Sequence, residues 1–377
     1  MIGFEFETSV PMKWSDGGMR DKEDALFSLQ AGITWGYTWK AVSDSGNLEI
    51  VTEPFNDEAV DRDAEVGRMI DVFADISRFL DLLLTRPKRA APGPPEDITL
   101  EAKNLLGIAR LANAGKKGVY FVSPTTTSLM ASPQATIGFT LDKIYTAAIR
   151  IVNTKLHFFD EDERVDRQRE DTAGISLSGM HPVQGALLLE AAVRAREEVT
   201  ALRAEQKNAP AQALDAYEGF LTIVISYLLM GSRQVRDWQY YKLIAPLMSR
   251  VSLHKMLQDE QVQPVAQFFT AERVLSAAGL DSDGTSRLYR IGVSGKANIT
   301  RKQWIDSIIA GNDMLAQLDK NDTGSMSARD DDDDRTATGK KIYQLELRRL
   351  PNAMEPKNWV DLAISLYDIS RRWHAAG

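Results

Sequence analysis

Apolar and polar residues alternate along four stretches of the chain. The stretches are residues 2–10, 48–52, 134–141 and 342–350, and a period of two residues is typical of β-strands. Successive side chains of a strand point to opposite faces of its sheet, so each stretch would carry one apolar face and one polar face. Because the first and last stretches bracket the rest of the chain, the pattern predicts one sheet assembled from both ends.

Apolar residues recur at helical spacing through much of the remaining chain. We predict helices over residues 57–84, 100–113, 142–152, 182–205, 211–229, 301–318 and 358–374, and further strands over residues 35–42, 118–122 and 286–293. Together these elements predict an α+β fold in which helices pack on the apolar face of an antiparallel sheet. We expect a single domain over residues 1–377, with a helical central region at about 142–278.

Two segments between these elements have the composition of loops. Residues 86–95 are rich in proline and basic side chains, and we interpret them as an exposed connector rather than a basic binding patch. Five aspartates at residues 330–334 lie in a stretch rich in serine, threonine and glycine at about 320–340. Runs of like charge are usually solvated, so we predict a flexible acidic loop there, with metal binding as the alternative.

The composition narrows the classes of function. The formal net charge is −8 and the pI is about 5.3, which argues against a general binder of nucleic acid or of anionic membranes, because both need a cationic surface. No cysteine is present, so disulfides, zinc–thiolate sites and thiol nucleophiles are excluded. No run reaches the roughly 18 apolar residues of a membrane span. The first residues lack a basic and apolar leader, so we expect a cytoplasmic protein, with a secreted effector as the alternative; the oligomeric state stays open.

The polar faces of the predicted strands are rich in carboxylates. The residues concerned are Glu5, Glu7, Glu49, Glu53, Gln134, Glu346 and Arg348. For any one strand, a sheet with one solvated face is a sufficient explanation. Taken together, however, the faces carry five glutamates, one arginine and no lysine, and like charges on adjacent strands repel one another. Mg²⁺ or Mn²⁺, which take oxygen ligands, would compensate this charge, so the pattern favours a metal-binding face.

Four motifs on these strands resemble those of a known enzyme family. They are Gly3-Phe4-Glu5-Phe6-Glu7, Leu48-Glu49-Ile50-Val51-Thr52-Glu53-Pro54-Phe55, Ser132-Pro133-Gln134-Ala135-Thr136-Ile137 and Leu345-Glu346-Leu347-Arg348. In order and spacing they resemble strands of the glutamate–cysteine ligase and amidoligase group, within the glutamine-synthetase-like carboxylate–amine ligases. The match leaves the helical centre unassigned, and the middle strand lacks the His-x-His form found in relatives.

The resemblance implies a fold, cofactors and a reaction. The sheet would be a glutamine-synthetase-like half-barrel. ATP, with Mg²⁺ or Mn²⁺, would phosphorylate the carboxylate of an amino-acid-like small molecule or of a peptide. An amine would then attack the resulting acyl phosphate and form an amide or isopeptide bond. The partners implied are therefore a carboxylate and an amine, with no nucleic acid and no membrane.

The resemblance also implies roles for individual residues. Arg348 would donate to a phosphate or to the substrate carboxylate, and Glu53 is either part of the catalytic face or a residue of its rim. Arg250 is the best candidate for contacting the ATP phosphates and assisting catalysis, with Lys242 behind it, although both could equally be surface residues of a helix. The implied metal ligands are Glu5, Glu7, Glu49, Gln134 and Glu346.

Two other functions stay open on the sequence alone. The fold could belong to a toxin or effector domain that modifies a macromolecule, or to a non-catalytic module that presents its acidic face to a basic partner. A P-loop NTPase is excluded because no Gly-x-x-x-x-Gly-Lys-(Ser/Thr) loop is present. A histidine zinc site is not expected, because none of the four histidines forms a pair four residues apart.

Overall fold

The computed structural model of the chain combines helices with an antiparallel sheet. This confirms the predicted α+β class, whereas the half-barrel form of the sheet stays a prediction. The structure describes residues 1–14, 25–28, 39–44, 47–84, 110–111, 119–121, 129–153, 182–232, 248–249, 252–281, 285–289, 296–312, 340–348 and 354–375.

Helices and strands follow one another along the described ranges. The helices are α1 Arg62–Leu84, α2 Leu141–Asn153, α3 Pro182–Glu205, α4 Ala211–Gly231, α5 Leu253–Leu257, α6 Ala271–Ala277, α7 Arg301–Ala310 and α8 Trp359–Ala375, with 3₁₀ helices at Gln263–Phe268 and Pro356–Asn358. The strands are β1 Ile2–Trp14, β2 Ala25–Ser28, β3 Trp39–Asp44, β4 Asn47–Thr52, β5 Arg110–Leu111, β6 Val119–Phe121, β7 Ala131–Phe139, β8 Met248–Ser249, β9 Arg287–Tyr289, β10 Lys296–Thr300 and β11 Tyr343–Arg348.

The chain forms two compact units, each built from separate stretches of sequence. The first unit consists of Met1–Ala135 and Leu350–Arg371, and the second of Thr136–Arg349 and Arg372–Gly377. The first unit therefore joins the N-terminal strands to most of the C-terminal helix. The assignment of residues 1–377 to one catalytic domain stays a prediction.

The sheet of the first unit is centred on β1 and β4. Its strands are ordered β5-β2-β3-β4-β1-β7, and β6 pairs with the far end of β1. β1 and β4 are antiparallel, with Glu5 opposite Val51 and Glu7 opposite Glu49. β3 pairs with β4 along its whole length. The first two glutamate-bearing motifs of the sequence thus lie on adjacent strands.

An aromatic core covers one face of this sheet. Phe6 of β1 stacks on Trp359 of α8 with 4.2 Å between ring centroids, and its ring meets Phe73 of α1 edge-on at 5.7 Å. α1 forms because its apolar residues recur at helical spacing; its buried side consists of Met69, Val72, Phe73, Ile76, Phe79 and Leu80. Burying one such side chain contributes roughly 1.5–3 kcal/mol, so this core stabilises the packing of α1 and α8 on the sheet.

Hydrogen bonds and an ion pair connect α8 to the first residue of α1 and to the segment between β4 and α1. The guanidinium of Arg62 donates to both carboxylate oxygens of Asp368, at 2.7 and 2.6 Å. The buried carboxylate of Asp57 accepts a hydrogen bond from the hydroxyl of Ser370. The Tyr367 hydroxyl adds a hydrogen bond of 3.0 Å to the backbone carbonyl before Asp57. α8 is therefore held to the first unit by directional bonds as well as by apolar packing.

The second unit is built around a buried helix. α4 packs against α2 and α3, and it approaches α2 closely at Gly219, where an added Cβ would lie 1.9 Å from the Leu141 carbonyl oxygen. Glu218 is also buried on α4, and Arg196 of α3 donates to its carboxylate at 2.9 Å. Burial raises the pKa of Glu218, and the charge of Arg196 opposes that rise. The pairing stabilises the negative charge that this buried position would otherwise disfavour.

α4 is the one helix among the described residues that is long and apolar enough to cross a membrane. This statement rests on length and composition alone, and 94% of the apolar window is buried inside the structure. The buried core helix of a globular protein meets the same criterion. The expectation that the protein has no membrane partner stays a prediction.

β11 is the central strand of the sheet in the second unit, where the order is β7-β11-β8. Glu346 lies opposite Met248 in the antiparallel pair with β8. The Tyr343 hydroxyl donates to the buried carboxylate of Asp259 at 2.5 Å. A buried hydroxyl needs such a partner, because leaving it without one costs about 1–3 kcal/mol. This bond fixes the start of the strand that carries the last motif.

Three of the predicted elements are corrected by the structure. Within the predicted helix 100–113, Arg110–Leu111 instead form β5, because they pair with β2. The strand predicted to end at Leu141 ends at Phe139, and Leu141 begins α2. The helix predicted to reach residue 318 ends at Ala310, since Gly311 takes a left-handed conformation with φ of 81° and stops the helix. The predicted connector 86–95 and most of the acidic loop 320–340 lie outside the described residues.

Candidate functional site

Four glutamates lie on the face of the first unit's sheet that is opposite its aromatic core. Glu5 and Glu7 lie on β1, Glu49 lies on β4, and Glu53 follows β4 directly. All four are half-buried, whereas Phe6 and Ile50, which directly follow Glu5 and Glu49, are buried. This follows from the pleat of a strand, which sends alternate side chains to opposite faces. On both strands, the glutamates therefore lie on one face and the buried apolar residues on the other, as the alternation predicts.

The register of β1 and β4 brings carboxylates close together. Glu7 lies directly opposite Glu49, and Glu5 lies opposite Val51. The Cβ atoms of directly opposed residues are about 4.5–5.5 Å apart in an antiparallel pair, and like charges at such positions are destabilising. Three carboxylates thus share one face on two neighbouring strands. A cation bound there would reduce their mutual repulsion.

The end of β4 lies beside a basic side chain of α1, because Arg68 donates a hydrogen bond of 3.0 Å to the Pro54 carbonyl. Burial raises the pKa of the Glu53 carboxyl, and the positive charge of Arg68 on α1 opposes that rise. Arg68 was not among the residues predicted from the sequence. Its spacing of three from Glu65 is a recognisable signal for an ion pair on a helix, and the pair forms at 2.6 Å. Nothing in the sequence, however, places α1 beside the end of β4.

Gln134 lies on β7, the strand that follows β1 in the order of the first unit's sheet. Its side chain is half-buried, whereas those of Pro133 and Ala135 are buried. Gln134 and Ala135 therefore point to opposite faces of the strand. An amide oxygen is a suitable ligand for a hard cation. The structure places this group on a strand adjacent to that of Glu5 and Glu7.

Glu346 is fully buried in the second unit. The exposed fraction of Glu346 is 0%, and Tyr343 and Leu345 on the same strand are also fully buried. The alternation predicts a polar face at this strand, but the structure covers both of its faces at this point. A charged carboxylate in the interior is costly unless hydrogen bonds and opposite charge compensate it. Glutamate is rarely buried so completely, which makes Glu346 a stronger functional candidate than an exposed glutamate would be.

The basic residues predicted to contact phosphate are placed only in part. Arg348 is the last residue of β11. Arg250 and Lys242 lie outside the described residues. The two residues before Arg250 are described as β8, which pairs with β11 at Glu346. The segment leading to Arg250 therefore runs beside the strand that carries Glu346 and Arg348.

The chemistry of the donor set agrees with a divalent cation. Mg²⁺ and Mn²⁺ prefer carboxylate, amide and water oxygens, and Glu5, Glu7 and Glu49 present carboxylates on one face. Across the described ranges, no group of three or more His, Cys, Asp or Glu side chains forms a site that could hold a metal ion. The assignment of Glu5, Glu7, Glu49, Gln134 and Glu346 as metal ligands therefore stays a prediction.

Removing one charge from the opposed pair tests whether the glutamates repel one another. We expect a double-mutant cycle of Glu7→Gln and Glu49→Gln in metal-free buffer to show that the two charges destabilise each other by about 0.2–1 kcal/mol. This coupling should shrink at high salt, which screens exposed charges. Urea denaturation of the wild type, both single variants and the double variant in the presence of a chelator measures it. A cycle of Glu7→Gln with the exposed Glu197→Gln of α3 is the matched control and should show no coupling. Absence of coupling between Glu7 and Glu49 would contradict their repulsion.

Comparison of the chain with models of known protein families gives no match, and comparisons with curated proteins and with solved structures give no significant match either. The resemblance to the glutamate–cysteine ligase and amidoligase group stays a prediction that rests on the four sequence motifs.

Proposed function

We propose that the protein is an ATP- and Mg²⁺-dependent ligase that joins a carboxylate to an amine in an amide or isopeptide bond. The observation that carries the proposal is the cluster of half-buried glutamates on one face of the first unit, where Glu7 lies directly opposite Glu49. Like charges at directly opposed positions of a sheet are destabilising, and a bound cation would offset that cost. A face of this kind suits a protein that must bind divalent cations together with an anionic nucleotide.

The proposal assigns the glutamates and arginines different tasks. Glu5, Glu7, Glu49 and Gln134 would hold Mg²⁺ or Mn²⁺, which when bound would neutralise negative charge on the phosphates of ATP. Glu346 is proposed as a further ligand, and its complete burial supports a role other than solubility.

Arginine and lysine side chains would bind the anionic reactants. A guanidinium offers two parallel N–H groups that match a carboxylate or a phosphate, whereas an ammonium acts as a point charge. Arg348 and Arg250 are proposed for this task, with Lys242 as a second source of positive charge. By binding the phosphates of ATP and the substrate carboxylate, these residues would orient the carboxylate toward the phosphoryl group that it accepts, and orientation supplies much of the rate enhancement in such reactions.

Thermal unfolding with ATP and Mg²⁺ tests the proposal without knowledge of the substrates. We expect the two together to raise Tm by more than the sum of their separate effects, because each would complete the binding site of the other. A ligand present at 100 times its Kd stabilises the folded state by about 2.7 kcal/mol. Glu5→Gln should lose the joint shift, whereas the exposed control Glu197→Gln should keep it.

The same measurement separates the ligase from the two alternatives. A module that uses its acidic face for a basic partner predicts no joint shift, and it predicts instead that a lysine-rich peptide raises Tm in a salt-dependent way. An effector domain with ligase chemistry predicts the joint shift and also growth arrest on expression, lost in Glu5→Gln. Absence of any shift with ATP and Mg²⁺ would contradict the proposed function.

A further inference from the structure

Basic residues cluster on the two-stranded sheet of the second unit and at the start of the helix that follows it. β9 and β10 of this sheet are antiparallel, with Tyr289 opposite Lys296. Arg287 lies opposite Thr300, the last residue of β10. Arg301 begins α7, and its backbone N–H donates to the carbonyl of the residue before Arg287 at 2.9 Å. The strand pairing and this bond bring Arg287, Lys296 and Arg301 together, and we refer to these three residues as the basic cluster.

One face of this small sheet carries two cations and an aromatic ring. Leu288 is fully buried, so its neighbours Arg287 and Tyr289 point to the opposite face of β9. The ammonium of Lys296 lies over the Tyr289 ring, 5.4 Å from its centroid, which places Lys296 on the same face. Arg287 and Lys296 are exposed, and Tyr289 is half-buried. A ligand can therefore reach this face.

The charges of the basic cluster are not compensated within the part of the chain that the structure describes. Arg287, Lys296 and Arg301 form no ion pair there. The Nε atom of Arg301 is buried and donates to no acceptor, which is costly for an N–H group. Other arginines of the described ranges pair with a carboxylate, namely Arg62, Arg68, Arg78, Arg194, Arg196, Arg203 and Arg273. The basic cluster thus differs from these arginines in offering its charge to a ligand.

The sequence around the basic cluster is cationic, in contrast to the chain as a whole. Residues 285–302 contain five basic residues and no acidic residue, whereas the whole chain has a net charge of −8. The overall charge argues against binding of a polyanion by the general surface. Exposed charges farther apart than about 8–10 Å are, however, largely screened at physiological ionic strength. An anion in contact with this face is therefore attracted by the local charge.

The arrangement of the basic cluster favours an extended anion that also carries flat groups. Residues two apart on a strand are about 7 Å apart, so positive charge lies beside the Tyr289 ring and again farther along the sheet at Arg287. Single-stranded nucleic acid has a phosphate in every nucleotide and a base that can stack on an aromatic side chain. An acidic peptide also carries repeated negative charge, but its carboxylates do not stack on Tyr289. The ring therefore decides between the two partners.

We propose that the basic cluster and Tyr289 form a binding surface for single-stranded nucleic acid. The basic cluster binds phosphate groups, and Tyr289 stacks on a base. Lys296 exchanges its contact with the ring for a phosphate, which frees the ring for the base. Contacts of these two kinds require no particular base sequence. The inference does not rest on the proposed ligase activity, and it departs from the expectation that the protein has no nucleic-acid partner.

Fluorescence anisotropy with a short labelled oligothymidylate tests the phosphate contacts. We expect the wild type to bind it in low salt, with an affinity that falls as salt is added. At about 50 mM salt, Arg287→Gln and Lys296→Gln should each weaken binding roughly fivefold to tenfold, because one fewer counterion is released. Each substitution should also reduce the slope of log K against log salt concentration by about 0.7, the value for one phosphate contact of a single strand.

Tyr289→Leu tests the stacking contact separately. We expect it to weaken binding of the oligothymidylate by about fivefold or more. The slope against salt concentration should stay at the wild-type value, because tyrosine carries no charge and its loss releases no counterion. A change in affinity without a change in slope thus distinguishes stacking from charge.

Two matched controls lie elsewhere in the second unit. Lys207 is exposed between α3 and α4, and Tyr145 of α2 is half-buried with the Arg196 guanidinium 4.1 Å from its ring centroid, as Lys296 lies over Tyr289. Lys207→Gln and Tyr145→Leu should bind the oligothymidylate as the wild type does. Thermal unfolding of every variant shows whether it is folded at the temperature of the binding measurement.

Two further probes identify the partner or overturn the inference. If the wild type does not bind the oligothymidylate in low salt, or if both charge variants keep the wild-type affinity and slope, the inference is wrong. Binding of a labelled polyglutamate peptide as tightly as the oligothymidylate, with Tyr289→Leu unchanged for both, would instead indicate an acidic protein partner. Tighter binding of a duplex than of its single strands would contradict a single-stranded ligand. None of these outcomes depends on ATP turnover.

Discussion

Glu5→Gln is expected to lower Mg²⁺-dependent ATP turnover by about 10²-fold or more while the first unit stays folded. Metal ions supply several kcal/mol of transition-state stabilisation, and each loss of roughly 1.4 kcal/mol reduces a rate tenfold. Glutamine keeps the size of glutamate and removes its charge, so a half-buried position on the sheet face tolerates it. Release of phosphate, measured with ATP and Mg²⁺ in the presence of a mixture of amino acids, gives the rate.

Controls separate loss of a ligand from loss of structure. The exposed Glu197→Gln should turn over ATP at the wild-type rate, and far-ultraviolet circular dichroism should be the same for all variants. Glu346→Gln tests the corresponding prediction in the second unit, and turnover should fall there as well. If Glu5→Gln turned over ATP at the wild-type rate, the assignment of this face as the metal site would be wrong, even if Glu346→Gln were inactive.

Gly219→Ala is expected to have the largest effect on stability. An added Cβ would lie 1.9 Å from the Leu141 carbonyl oxygen and 3.0 Å from its carbonyl carbon. Both atoms belong to the backbone at the start of α2 and cannot move aside as the end of a flexible side chain could. Overpacking in a core costs about 1–3 kcal/mol and occasionally more, and we expect the upper end of that range. The free energy of unfolding from urea denaturation measures it.

A second helical glycine provides the opposite expectation. Gly67 is exposed on α1, and a Cβ added there would meet nothing within 4 Å. Alanine favours a helix over glycine by about 0.8–1.0 kcal/mol, so Gly67→Ala should stabilise the protein. The same substitution thus has opposite signs on the two helices. If Gly219→Ala were as harmless as Gly67→Ala, α4 and α2 would not approach each other as closely as the structure indicates.

The strands that carry the glutamates could be predicted because alternation is a local signal. β1 and β4 were predicted from the period of two residues alone, and the half-buried positions of Glu5, Glu7 and Glu49 follow directly from it. α1 and α8 were predicted with similar accuracy, since a helix that covers a sheet must keep one apolar side. The periodic pattern that predicts each of these elements lies within the element itself, over about 20 residues or fewer.

Predictions failed where a distant partner decides the conformation. Arg110–Leu111 form a strand because they pair with β2, which no local pattern reveals. Glu346 looked like a residue of a polar face, but its strand is covered on both sides. Arg68 was overlooked because its place at the end of β4, where it donates to the Pro54 carbonyl, depends on how α1 packs. In each case the missing information was the identity of a neighbour remote in sequence.

The order of polar and apolar residues thus predicts β1, β4, α1 and α8 and the strand faces on which the glutamates of β1 and β4 lie, because both depend on backbone geometry within a few residues. Pairing and packing decided the opposition of Glu7 and Glu49, the burial of Glu346 and the hydrogen bond from Arg68 to the Pro54 carbonyl. Register and packing join residues that are far apart in the chain, and their energies depend on contacts that form only when the elements meet.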